Sequence, residues 1–320
     1  MKRIFFIFIL LITLFSCQDS DKRILPESSG KTNNILLIMN DKDWKTSVGD
    51  SIRKYFTTEF PDLPRSEPMF SLHQASPSLF TNSFKKVRSI FVIKKGDKND
   101  YNIIKDKYAT PQLIAFIEGK SKNDIKRLIS QHANEIFKQF YDFEIKNIQS
   151  RHRVALRDNS DIEKELGIKI EIPSFFNLVD HRKKFFWLRR DIKNGEQDIL
   201  LYEVPLSENI EKQKNLVTKY RDSIAKLYIP GPTDSTYMKT VTGISPSQMN
   251  LSINNLKSIE TRGLWNMKND FMGGPYLNYT ILDKKHHRAI VAEGFVYAPA
   301  LDKRDYMVQL EAILKTIKLD

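Results

Sequence analysis

Phe185-Phe-Trp-Leu-Arg-Arg190, Asn194-Gly195 and Asp198-Ile-Leu-Leu-Tyr-Glu-Val204 follow one another closely and read as two strands folded back on a tight turn. Asn-Gly provides the positive φ that a two-residue hairpin needs, and the apolar residues on either side suit a half-buried pleat. Downstream, Ser258–Met267, Pro275–Leu282 and Arg288–Tyr297 read as three more strands, the last two joined across Asp283–His287. Asp302 is placed to cap a final helix whose inward face is Tyr306, Leu310, Leu314 and Ile317. Between hairpin and strands, Ser207 is the expected cap of a helix bearing Ile210, Val217, Tyr220, Ile224 and Leu227. Residues 229–260 are rich in Pro, Gly, Ser, Thr and Asn without strong period, and Asp161–Leu166 and Lys169–Ile172 precede the hairpin as a short helix and strand.

Working further upstream, Ile35–Met39, Met69–His73, Ser89–Lys94 and Gln112–Glu118 read as strands. A helix capped at Asn40 or Asp41 carries Trp44, Val48, Ile52, Tyr55 and Phe56. Ser121 and Asp124 have capping-box spacing and open the longest helix, with Ile125, Leu128, Ile129, His132, Ile136, Phe140 and Phe143 on one face. The order is strands, a long helix, more strands and a closing helix. It predicts an α+β protein of antiparallel sheets with helices packed on one face, divided into units at 33–155 and 160–320.

The chain starts Met1-Lys-Arg3, runs apolar from Ile4 to Ile12 and reaches Leu14-Phe15-Ser16-Cys17. A basic start, a short apolar run and a small residue before cysteine form a lipoprotein signal peptide over 1–16. The run is shorter than the ~20 residues a permanent span needs. Cleavage would leave Cys17 N-terminal and acylated, palmitate-type, so the membrane becomes a partner through a lipid anchor. Residues 17–34 are polar and are expected to form a disordered tether. Asp19 and Asp21 directly after Cys17 fit export to the cell surface, and the periplasmic face of the outer membrane stays open as the alternative. Cys17 is the only cysteine, so an acylated chain has neither disulfide nor thiolate metal site.

The formal charge is +12; removing residues 1–16 takes away Lys2 and Arg3 and no acid, leaving +10. The basic residues are scattered in pairs such as Lys85-Lys86, Lys94-Lys95 and Lys284-Lys285, with no run of five and no nucleic-acid motif. Nucleic acid is therefore excluded as a partner. An envelope protein or an anionic glycan is the expected one besides the membrane.

Chemical motifs are few. Gly49-Asp50-Ser51 matches the nucleophile tripeptide of one esterase class, but it falls inside a helical pattern, where a strand and sharp turn are required. His286-His287 sits in an expected turn and lacks a metal-ligand spacing; His132, on an apolar helix face, reads as a hydrogen-bonded core histidine. No metal or cofactor is expected. Arg262, Trp265, Asp270, Gly273 and Gly274 form the candidate binding cluster. Asp270 and Arg262 would pair or address a ligand, Trp265 with Phe271, Met272 and Tyr276 would form an aromatic wall, and the glycines would allow positive φ and close backbone approach. The same residues would also make a tight bend between strands around an ordinary ion pair. Gly231-Pro232 with Thr233, Asp234, Ser235 and Thr236 reads as a flexible loop that would either cover the site or serve as plain linker.

The segments Arg262–Tyr276, Glu293-Gly-Phe-Val-Tyr-Ala-Pro299, Lys303-Arg304-Asp305-Tyr306 and Phe185–Arg190 resemble a Bacteroidota lipoprotein family of unknown function, over nearly all of the mature chain. That resemblance implies an exported lipoprotein and assigns no activity. Residues 168–320 are also similar in topology to the PsbP-like arrangement, which says nothing of function. The expectation is a membrane-anchored envelope protein of the non-catalytic binding or assembly kind. The alternative is an envelope hydrolase of lipid or glycan using carboxylates such as Asp270 or Glu293 as acid and base.

Overall fold

The computed structural model describes residues 24–319. The expected signal peptide 1–16, Cys17 and the first part of the 17–34 segment lie outside the described residues. The rest of that segment corrects the tether reading, because it is pinned. Thr110 N donates to Pro26 O (2.9 Å), Ser28 N to Thr110 O (3.1 Å), Ser29 N to Lys86 O (2.9 Å) and Arg88 N to Ser29 O (2.7 Å).

The first unit comprises β1 (Asn34–Ile38), α1 (Asp41–Trp44), α2 (Ser47–Phe56), β2 (Ser71–Ala75), α3 (Asn82–Lys85), β3 (Ser89–Lys95), β4 (Asp100–Lys105), β5 (Leu113–Gly119) and α4 (Lys122–His152). Its sheet has the order β2-β1-β3-β5-β4. Only β4 pairs antiparallel; the other pairs are parallel, so the antiparallel pairing expected from the sequence does not extend to this sheet. Parallel neighbours need a long crossover, and the stretch between β1 and β2 supplies one by carrying α2. α2 and α4 bury Val48, Ile52, Phe56, Ile125, Ile129, Ile136 and Phe140 against one face of the sheet. Each fully buried side chain of this size contributes roughly 1.5–3 kcal/mol. Ser121 caps α4 as its spacing predicts, accepting from Asp124 N at 3.1 Å and donating to its carboxylate at 2.7 Å.

The second unit comprises α5 (Ser160–Leu166), β6 (Ile168–Lys169), β7 (Asn177–Arg182), β8 (Phe185–Ile192), β9 (Gly195–Pro205), α6 (Ile210–Tyr228), β10 (Met238–Thr240), β11 (Ser247–Ile253), β12 (Leu256–Met267), β13 (Gly273–Asp283), β14 (Arg288–Tyr297), α7 (Arg304–Leu314) and β15 (Lys318–Leu319). The eight-stranded sheet runs β10-β12-β13-β14-β9-β8-β7, with β11 also on β12, and every pair is antiparallel. The α+β class holds. The helices, expected on one face, lie on both faces of this sheet. Ile199, Leu201, Leu277 and Ile290 join α7 in one core, while Leu200, Tyr202, Tyr276 and Val291 join Ala225 of α6 and Ile229 just after it in another.

The two units share their interior. α4 is 31 residues long, about 46 Å; its early turns pack on the first sheet and Ile145 and Ile148 enter the second core. α7 is not capped by Asp302. Its N-cap is Lys303, whose side chain makes no cap, and the first amides are taken by Glu67 of the other unit, from Lys303 N (2.7 Å) and Arg304 N (2.9 Å). A carboxylate there also offsets the positive end of the helix dipole. Between α4, β12, β13 and α7 lies a buried polar network. Arg262 donates to Glu311 (2.8 Å) and Glu260 (2.6 Å), Tyr141 to Glu311 (2.7 Å), and Tyr279 to Glu260 (2.9 Å). Lys315 pairs with the other Glu311 oxygen at 2.5 Å.

Candidate functional site

On a strand, residues alternate between faces, and β12 carries this rule through the predicted cluster. Trp265 and Met267 point to the α6 side, whereas Arg262 points to the α7 side and is consumed by the Glu260–Glu311 network. Arg262 and Trp265 therefore do not share a site. Asp270 joins neither. It sits in the β12–β13 turn and accepts from its neighbour Phe271 N, and Phe271 is fully exposed. Gly273 and Gly274 lie in β13, outside the left-handed region. Their need for glycine is steric: a Cβ on Gly274 would stand 1.9 Å from Val296 O, and one on Gly273 2.8 Å from Trp265 O.

Around Trp265 the structure gathers a cavity of about 270 Å³. Its apolar wall is Trp187 from β8, Met238 from β10, Trp265 and Met267 from β12, Met272 from the turn and Phe295 from β14. Trp265 meets Phe295 edge-on, with ring centroids 5.4 Å apart. Ile229 and the Pro230-Gly231-Pro232 loop lie across it, held by Gly231 N donating to Thr236 O at 3.0 Å. Arg189 and Glu196 supply the polar side, paired at 2.8 Å. Behind them Asp198 is fully buried and accepts from Trp187 Nε1 (2.7 Å) and Arg189 Nε (2.9 Å). Burial pushes its carboxyl up to about 7; Arg189 opposes the rise and Glu196 adds to it. The Asp198 Oδ2 atom and the Trp265 indole N–H are buried without a hydrogen-bond partner. Trp265 is 1% exposed, so its N–H is an unused donor inside the fold.

The neighbouring part of the same face is closed. Arg221 of α6 lies 3.9 Å over the Tyr276 ring and donates to Glu293 at 2.9 Å, and Asn278 donates to the second Glu293 oxygen at 2.9 Å. Burial raises the Glu293 carboxyl and Arg221 pulls it back. Two larger clefts, about 650 and 640 Å³, open near the Lys284–His287 turn. In the first of them Arg288 is already held by Asp283 and Glu203, and His286 by Asp283 at 2.8 Å. Among the described residues no His, Asp and Glu cluster is arranged to hold a metal ion. Gly49-Asp50-Ser51 is helical, with Ser51 Oγ donating to Ser47 O at 2.8 Å, which is no nucleophile turn. His132 is not a core histidine: it is half-buried at the helix edge and stacks on Tyr101 at 4.1 Å.

The sequence marks Trp187, Arg189, Asp198 and Phe295 only as parts of strands or of the family-like segments, not as site residues. The available signal was Asp198 itself, a charge opening the otherwise apolar run Ile199–Tyr202. Residues 155–316 match the family model described as Domain of unknown function (DUF4837). The chain belongs to that family. The whole cavity falls within the DUF4837 match, and residues 28–153 match a second model, Domain of unknown function (DUF8532). No curated protein matches the chain. Similar solved structures include the Ran-binding protein Mog1p of Saccharomyces cerevisiae, 8% identical over 48% of this chain and 90% of that one, with a TM-score of 0.33. Another is LpqN of Mycobacterium tuberculosis, involved in cell envelope biogenesis, 12% identical over 47% of this chain and 83% of that one, with a TM-score of 0.29.

Proposed function

We propose that the chain is a lipid-anchored protein of the cell envelope that binds an apolar group in the Trp265 cavity without transforming it. The observation that carries the binding reading is the wall of aromatic and methionine side chains around the cavity, with the Arg189–Glu196 pair as its one polar side. Such a pocket suits an apolar body bearing one acceptor, a carbonyl or ester, which the part-exposed Arg189 guanidinium at its polar side can meet. Methionines let the wall adapt to ligands of differing shape. The hydrolase alternative loses its named carboxylates. Glu293 is locked between Arg221 and Asn278, and Asp270 stands outside the cavity. A general acid has to reach the reacting atom, and Asp198 lies behind the cavity wall.

Two outcomes are expected. Prodan, a neutral naphthyl ketone, should bind at one saturable site with a blue-shifted emission. Met272→Arg, which fills the cavity from the turn, should weaken it at least tenfold at unchanged melting temperature. Absence of saturable binding, or a variant that binds like the parent, refutes the cavity reading. Metabolic labelling with a fatty-acid analogue should mark the chain and leave Cys17→Ala unmarked and released from the outer membrane. Label on the Cys17→Ala protein rules the anchor out.

A further inference from the structure

Resting on that anchor, we propose that one end of the first unit is a bilayer-facing surface that lies on anionic phospholipid. The described chain begins beside it. Pro26 and Ser28 are pinned to Thr110 and Ser29 to Lys86, and Pro26 stands nine residues beyond Cys17. Even fully extended, those nine residues reach only about 30 Å. An acylated Cys17 therefore holds this end of the molecule close to the headgroups.

The surface at that end has the matching composition. Ile24, Leu79 and Phe84 expose 95%, 52% and 38% of their areas. Phe84 belongs to α3, and Leu79 adjoins Phe80, whose ring packs edge-on to Tyr108 at 5.8 Å. Lys85 and Lys107 stand over Tyr108 at 5.4 and 5.5 Å, and Lys86, just after α3, and Lys105, the last residue of β4, are exposed. Among the described residues none of these four lysines makes an ion pair. The nearby acids are Glu27, which is exposed, Asp106, whose side chain accepts from Gln112 N at 2.8 Å, and Asp100 and Glu118, which share a cleft with Lys107 and pair with Lys98 and Lys94. Exposed apolar side chains with unpaired lysines, at the point where the anchor segment leaves, fit insertion at an anionic lipid surface.

The test uses the full acylated chain in vesicles of phosphatidylglycerol and phosphatidylcholine. Acylation occupies the thiol of Cys17, so a cysteine introduced by Leu79→Cys takes an environment-sensitive fluorophore alone. Asp97→Cys, in the turn at the far end of β3, is the control. The expected result is a blue-shifted label at position 79, quenched by bromolipids at least fivefold more than at position 97. Reversing charge with Lys85→Glu, Lys86→Glu and Lys107→Glu should abolish that quenching while vesicle flotation persists. Flotation with equal quenching at both positions overturns the proposal and leaves the anchor standing. Failure of the acylated chain to float overturns the anchor and the proposal together.

Discussion

Replacing Arg262 by leucine should lower the free energy of unfolding by about 3 kcal/mol, read from urea denaturation, because it removes the guanidinium from the buried Glu311 and from the half-buried Glu260. Glu311 would keep Lys315 and Tyr141, and Glu260 only Tyr279. Arg262→Lys should cost less than leucine but remain measurable, since an ammonium cannot bridge both acids as the guanidinium fork does. The network also sets a pH dependence. Burial would raise the Glu311 carboxyl, but Arg262 and Lys315 outweigh it and hold the group at about 2, below its ordinary 4.5. A depressed carboxyl stabilises above its unfolded value, and that contribution disappears as pH falls from 4.5 towards 2. Acid sensitivity in that window should be weaker in Arg262→Leu. A loss under 1 kcal/mol would mean the network contributes little.

Asp198→Asn should behave in the opposite sense. The folded protein holds this proton up to about pH 7, whereas the unfolded chain releases it near 3.8. The contribution is thus complete below pH 3.8 and is lost as pH rises through 7. At 1.36 kcal/mol per pKa unit the loss is at most about 4 kcal/mol. Asparagine is always neutral and keeps an oxygen for Trp187 Nε1 and Arg189 Nε. Relative to the parent it should be near neutral at pH 4 and stabilising by roughly 2–4 kcal/mol at pH 8. Denaturation at the two pH values decides this; a constant difference between the proteins would show that Asp198 does not titrate there.

Local rules made much of the fold legible. Arg288–Tyr297 is a strand at its expected bounds, and the long helix starts at its predicted cap. The hairpin is present, although its turn is Lys193-Asn194, with Asn194 at φ +60° and Gly195 already paired to Ile192. The expected cap Ser207 yields to Asn209, whose side chain accepts from Lys212 N. Strands β4 and β7 leave no clear signal in the sequence because they are sheet edges, largely exposed and without clear alternation. Strand direction in the first sheet and the Glu67 cap on α7 arise from distant segments, which no local window contains. The candidate cluster failed differently. Positions 262 and 265 differ by an odd number within one predicted strand, so period two alone already separates them.

The shared cap on α7 has a consequence for how such chains evolve. The two family matches meet between residues 153 and 155, a seam in sequence. Yet Glu67 closes a helix that begins more than two hundred residues later, and Tyr141 completes a charge network on Glu311. Recombination at that seam would bring together halves that had never been selected as a pair. It would survive only where the incoming first half carried a carboxylate and a phenol at these two places. Inheritance should therefore treat the halves as one unit, with positions 67, 141 and 311 changing together.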